Sequence, residues 1–174
     1  MSETDVRALV YGIVEAWNAR DLGRLLSYLA TGVVWDDPAM LGEPTVGHDA
    51  VRVFSERLLR AFPDFSYRIR EPICVSESGT RCVVPWEIRS THAGHFEPYG
   101  FAPTGQVIRI QGVDVLELES GKVTRIETVF DTMSALEQAL RLKPLSKSRF
   151  ARIVAVGLQK GRASWLRLTA KSRK

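Results

Sequence analysis

Apolar residues recur at three- and four-residue intervals early in the chain: Val6, Leu9, Val10, Ile13 and Trp17, then Leu22, Leu25, Leu26 and Leu29. This spacing predicts helix over residues 3–30. Asn18-Ala19-Arg20-Asp21 breaks it into two helices, with Asp21 placed to cap the second, and Thr31-Gly32 ends it. Val33–Asp37 reads as a short strand stopped by Pro38, and Met40–His48 as loop. Asp49 is a candidate cap for a third helix through Val51, Phe54, Leu58, Leu59 and Phe62, ending before Pro63.

The period then changes to alternation. Strands are predicted over Phe65–Ser76, Arg81–His92, Val107–Glu119 and Lys122–Phe130, with turns at Ser78-Gly79 and Ser120-Gly121. Pro85 predicts an edge or a bulge in the second of these. A Gly/Pro/aromatic connection, Gly94–Gly105, separates the second strand from the third. Thr132 or Ser134 is placed to cap a last short helix through Leu140. Helices followed by a run of antiparallel strands define an α+β fold. A curved sheet wrapped around the N-terminal helices forms a cone with an open mouth, the shape in which small molecules bind.

One position breaks the alternation. Ile108, Ile110, Leu116 and Leu118 share a parity, and Asp114 shares it with them, whereas Arg109, Gln111 and Glu117 occupy the other face. A carboxylate in an apolar row must be paired or protonated. Either state suits a general acid or an oxyanion donor, and either also suits a structural group bonded to backbone amides.

Charge divides the chain. All 20 Asp and Glu lie before position 141, with 13 of the 24 Lys and Arg, so residues 1–140 carry a net charge of −7. Residues 141–174 hold the other 11 basic groups and no acid. The basic pI therefore belongs to an extension on an acidic body, and a nucleic-acid-binding domain is not expected. Phe150, Ile153, Val154, Leu158, Trp165 and Leu168 keep helical spacing in that extension, but Gly157 and Gly161 weaken it. Docking on the body or disorder is favoured over a basic amphipathic helix on a membrane surface. No apolar run is long enough to span a bilayer and no secretory segment opens the chain, so a cytoplasmic protein is expected. Cys74 and Cys82 are expected to be free thiols, and His92-x-x-His95 offers too few ligands for zinc.

Two runs carry a family resemblance. Glu15-Ala16-Trp17-Asn18-Ala19-Arg20-Asp21-Leu22 and Trp35-Asp36-Asp37-Pro38 resemble the opening of the nuclear-transport-factor-two-like superfamily. Thr91-His92-Ala93-Gly94-His95-Phe96, Pro103-Thr104-Gly105, Gly112-Val113-Asp114 and Gly121-Lys122 resemble its SnoaL-like polyketide cyclase branch, over roughly residues 5–140. The resemblance implies a cofactor-free enzyme of secondary metabolism in which Asp114 acts as general acid/base for an intramolecular aldol closure. From the related ketosteroid isomerases, Asp37 matches the base that moves a proton beside a carbonyl, and Asp114 a protonated oxyanion donor. The isomerases' helix-one Tyr falls on Ile13 here, which argues against a true steroid isomerase. The Arg-x-Asp pattern of limonene-epoxide-hydrolase-like members is not met, since Arg109 lies five residues before Asp114.

The candidate catalytic residues are therefore Asp114, Asp37 and His92, with His92 as a proton relay. Trp17, Trp35, Trp86, His95, Tyr99 and Phe130 are the candidate substrate-binding residues, an aromatic wall suited to flat apolar ligands. Glu127 and Asp131 read as exposed or dimer-facing. The expected function is a cyclase or isomerase acting by proton transfer on an apolar, polyketide-like or terpenoid-like carbonyl compound, without cofactor or metal, in a homodimer. The alternative is a non-catalytic small-molecule-binding or hydroxylase-like accessory protein. Residues 1–140 are the expected domain and 141–174 an appended segment.

Overall fold

The computed structural model describes residues 1–40, 43–97 and 99–141. The basic extension and the expectations placed on it lie outside the described residues. Helix α1 spans Glu3–Ala19, opened by a capping box in which Ser2 accepts from Asp5 N and Asp5 reaches back to Ser2 N. It ends at Arg20, whose left-handed backbone turns the chain. Asp21 caps the short α2, Leu22–Ser27, accepting from Arg24 N at 2.8 Å. Val6, Leu9, Val10, Ile13 and Trp17 form the buried stripe of α1 that the spacing predicts.

Strand β1 runs Leu29–Asp36, four residues earlier than predicted at its start. Leu29 pairs with Val123 of a distant strand, and this tertiary pairing overrides the local turn signal of Thr31-Gly32. Thr45–Val46, predicted as loop, forms β2 on the outer edge of β1. Helix α3 spans Gly47–Ala61. Asp49 lies inside its first turn instead of capping it, and the N-cap position is Val46, without a side-chain bond.

The predicted strand 65–76 divides into β3, Ser66–Ile69, and β4, Cys74–Val75, on either side of a cis Glu71–Pro72 bond. Both pair antiparallel with β5, Arg81–Thr91. Pro85 is neither on an edge strand nor at a bulge. It pairs with Val113 in an unbroken register with β6, Val107–Glu119. Its carbonyl accepts from Arg70 N (2.7 Å), so its missing N–H faces the gap between β3 and β4, where no ladder partner is required.

Strand β7, Lys122–Phe130, completes the order β2-β1-β7-β6-β5-β3, with β4 beside β5. β1 and β7 are parallel and the other pairs antiparallel. Asp131, and not Thr132 or Ser134, caps helix α4, Thr132–Ala139, by accepting from Ser134 N at 2.9 Å. The result is an α+β cone, a curved and mainly antiparallel sheet around the N-terminal helices, built within the unit Met1–Arg141. Cys74 is exposed, Cys82 buried, and both are free thiols. Among the described residues no helix is long and apolar enough to cross a membrane.

Candidate active site

The concave side of the sheet holds a cavity of about 390 Å3, within the range of small-molecule sites. Trp17 of α1, Trp35 of β1, Trp86 of β5 and Phe130 of β7 form its aromatic wall, as the sequence predicts. Their rings meet edge-on or tilted: Trp17 on Trp35 (6.0 Å between centroids), Trp35 on Phe54 (5.3 Å) and Trp86 on Phe130 (6.1 Å). Gly112 is what lets Trp86 lie flat against β6, because a Cβ there would meet the indole ring and the Val129 carbonyl, each at 2.5 Å.

Asp114 lines this cavity from the middle of β6, half-buried among apolar walls. Tyr67 of β3 donates its hydroxyl to Oδ2 at 2.8 Å, and Thr128 of β7 donates to Oδ1 at 2.9 Å. Thr128 is fixed in turn by the indole N–H of Trp35, at 3.0 Å. Burial pushes the Asp114 carboxyl above its ordinary value, and the bonds from Tyr67 and Thr128 pull the other way. The Trp86 indole nitrogen also favours the charged form, although it is buried and makes no hydrogen bond of its own. The Tyr67 phenol is driven well above its ordinary value by burial and by the Asp114 charge.

Asp37 follows the end of β1 and lines the same cavity. Its Oδ1 accepts from Ala39 N at 2.7 Å and its backbone carbonyl from Met40 N, so an Asx turn fixes the carboxyl. Burial first, and the Asp114 charge after the opposing Ala39 bond, push its pKa up to about 7. Two carboxyl groups from separate elements thus share one apolar hollow. Asp36, of opposite parity, is exposed and lies 4.0 Å from Arg125.

The two histidines are not brought to the cavity, which corrects their expected place in the site. His92 keeps the inward parity of Trp86 and Ile88, but β5 carries it past the hollow. There Phe62 supplies the cavity wall and lies tilted against the imidazole, at 5.3 Å between centroids. His92 is 1% exposed; its Nδ1 is 3.2 Å from Thr104 Oγ1, which donates to Ala139 O at 2.5 Å. Desolvation lowers its pKa. It ties the end of β5 to the end of α4. His95 is exposed and off the wall.

Tyr99 is on the wall, in a turn whose ends bridge Phe96 and Phe101. It stacks between those two rings at 5.5 and 5.4 Å and donates to Pro38 O at 3.2 Å, next to Asp37. The turn seats closely because Ala93 and Gly94 both donate to Ala61 O, and a Cβ on Gly94 would strike the Arg60 carbonyl. Sequence reasoning missed Tyr67 and Thr128. Thr128 was legible only through register, opposite Asp114, and Tyr67 only through the pairing of β3 with β5. Among the described residues no group of three acidic, His or Cys side chains is placed to hold a metal ion.

Cone and cavity are those of the nuclear-transport-factor-two-like fold. The chain belongs to the SnoaL-like polyketide cyclase family, whose model matches residues 8–139. AclR from Streptomyces galilaeus, described as a candidate hydroxylase, is 28% identical with a TM-score of 0.66, covering 81% of this chain and 97% of AclR. A candidate SnoaL-like polyketide cyclase from Jannaschia sp. CCS1 is 19% identical with a TM-score of 0.70, covering 80% and 95%. A candidate polyketide cyclase from Xanthomonas campestris pv. campestris is 21% identical with a TM-score of 0.67, covering 78% and 97%. The last two likenesses bear on the fold alone. No curated protein matches the chain.

Proposed function

We propose that the protein is a cofactor-independent cyclase or isomerase that moves protons on an apolar, polyketide-like or terpenoid-like carbonyl compound. The observation that carries this is the pair Asp37 and Asp114, facing one apolar cavity in unlike environments. Tyr67 and Thr128 both donate to Asp114, which favours its charged form, whereas burial keeps a proton on Asp37 up to about pH 7. These surroundings assign Asp114 as the base and Asp37 as the acid. Asp114, anchored by Tyr67 and Thr128, takes the proton from the carbon beside a substrate carbonyl. The resulting enolate carbon attacks a second carbonyl of the same molecule, forming the new C–C bond, and protonated Asp37 delivers its proton to the new alkoxide oxygen. Return of the proton from Asp114 to Asp37 resets the site.

Positioned acid–base groups contribute about 10²–10⁴-fold to rate, and holding the substrate folded in the aromatic cavity contributes the rest. Asp114→Asn keeps the shape of the site and is expected to lower kcat by about 100-fold or more. In the wild type kcat/KM should fall as pH rises through about 7, where Asp37 loses its proton. Normal turnover in Asp114→Asn, or a flat pH–rate profile, rejects the assignment. The likeness to AclR favours a second reading, a hydroxylase-like reaction; oxygen consumption coupled to product formation would select it.

A further inference from the structure

We infer that the cavity seats an electrically neutral substrate and excludes the ionised acid form of the same carbon skeleton. The inference rests on the acid–base reading for the location of the site. It goes further in fixing the charge class of what enters. Among the described residues no Lys, Arg or His lines the cavity. Arg57 of α3 and Arg125 of β7 lie on elements that wall it. They are engaged away from it, with Glu97 at 3.3 Å and with Asp36 at 4.0 Å.

Four hydrogen-bond donors on the wall are already committed. Tyr67 and Thr128 donate to Asp114, Trp35 to Thr128, and Tyr99 to the Pro38 carbonyl. The buried Trp86 N–H sits behind the Asp114 carboxylate. Among the described residues a ligand therefore meets aromatic faces, the neutral hydroxyl of Thr132 and two carboxyl groups. An entering carboxylate would shed its water, find no cation among those residues, and lie in the same low-dielectric hollow as Asp114. A neutral ketone loses no ionic hydration, stacks on the same rings and takes one hydrogen bond from Asp37 in its protonated form.

The test uses the full chain at about pH 6 and two probes of nearly equal shape, 2-acetylnaphthalene and 2-naphthoate. Binding is read by quenching of the fluorescence of Trp17, Trp35 and Trp86, all on the wall. The ketone should bind roughly tenfold or more tighter, a difference of about 1.4 kcal/mol. In the Asp37→Asn/Asp114→Asn variant the gap should narrow, with naphthoate gaining. Equal or tighter binding of naphthoate to the wild type overturns the inference, as does failure of both probes to bind. The two readings fail separately. Discrimination alongside a flat pH–rate profile sinks proton transfer alone, and equal binding by an enzyme that titrates normally sinks charge selection alone.

Discussion

At the scale of single residues, the cavity works by placing polar groups where apolar ones would be cheaper. Asp37 shows the cost. Its carboxyl titrates near 7 in the folded chain, against an ordinary value of 3.8. Between those values the folded state binds more protons than the unfolded one. Stability is therefore lost as pH rises through that window, and the penalty is complete above about 7. Asn carries no charge and can still accept from Ala39 N. Asp37→Asn should therefore be more stable than wild type by about 1–3 kcal/mol at about pH 8, with solvent in the open cavity discounted, and nearly equal at about pH 4. Urea unfolding at the two pH values measures this; an equal difference at both would mean that Asp37 is not held near 7. The inward face of Asp114 was legible because strand parity is a local signal, whereas Asp37 was singled out by the family resemblance, since Asp-Pro on its own reads as a turn. His92 misled because parity gives the face of a strand and not the point along it where the cavity ends.

At the scale of elements, β6 outruns β7. The β6–β7 pairing stops at Gly112–Phe130, so the stretch from Val107 to Gln111 has one edge without a strand. Gln138 of α4 serves that edge, accepting from Arg109 N at 2.8 Å and donating to Arg109 O at 3.1 Å. Helix α4 has no fully buried residue, yet Met133, Leu136 and Ala139 line the cavity. Its position therefore depends on polar attachments: the Gln138 clamp, the Asp131 cap and the Thr104–Ala139 bond. Each hydrogen bond is worth about 1 kcal/mol net. Gln138→Ala should speed amide exchange over residues 132–140 by roughly tenfold or more and raise KM several-fold, while global stability falls by no more than about 2 kcal/mol. Unchanged protection of α4 would show that the clamp is incidental. The helix itself was expected from candidate caps at Thr132 and Ser134, but its attachment was not legible, because Gln138 and Arg109 meet only after the sheet has formed. The same reason explains why β1 starts earlier than its local sequence suggests.

At the scale of the molecule, one sheet face makes the cavity, and the other carries apolar residues of its own. Val83 and Pro85 of β5, Val113 and Val115 of β6 and Val129 of β7 all point outward. They adjoin through the pairs Val83–Val115, Pro85–Val113 and Val113–Val129. Val129 is 50% exposed. Gln111, Glu117, Glu127 and Arg125 surround this patch, so it has the apolar centre and polar rim of an interface. A sheet face is self-complementary under a two-fold axis, and a second copy of the chain is the occupant we expect. Val129→Glu would place a carboxylate at the centre of such a contact, with the partner's Val129 position changed as well. The wild type should sediment as a dimer and the variant as a monomer, with its far-ultraviolet circular dichroism intact. The monomer should retain the cavity, since Val129 lies on the sheet face opposite its neighbours Thr128 and Phe130, which line the hollow. Loss of turnover together with loss of the dimer would mean that assembly holds the cone open. A wild type that sediments as a monomer at micromolar concentration would remove the dimer and leave the patch as ordinary exposed valine.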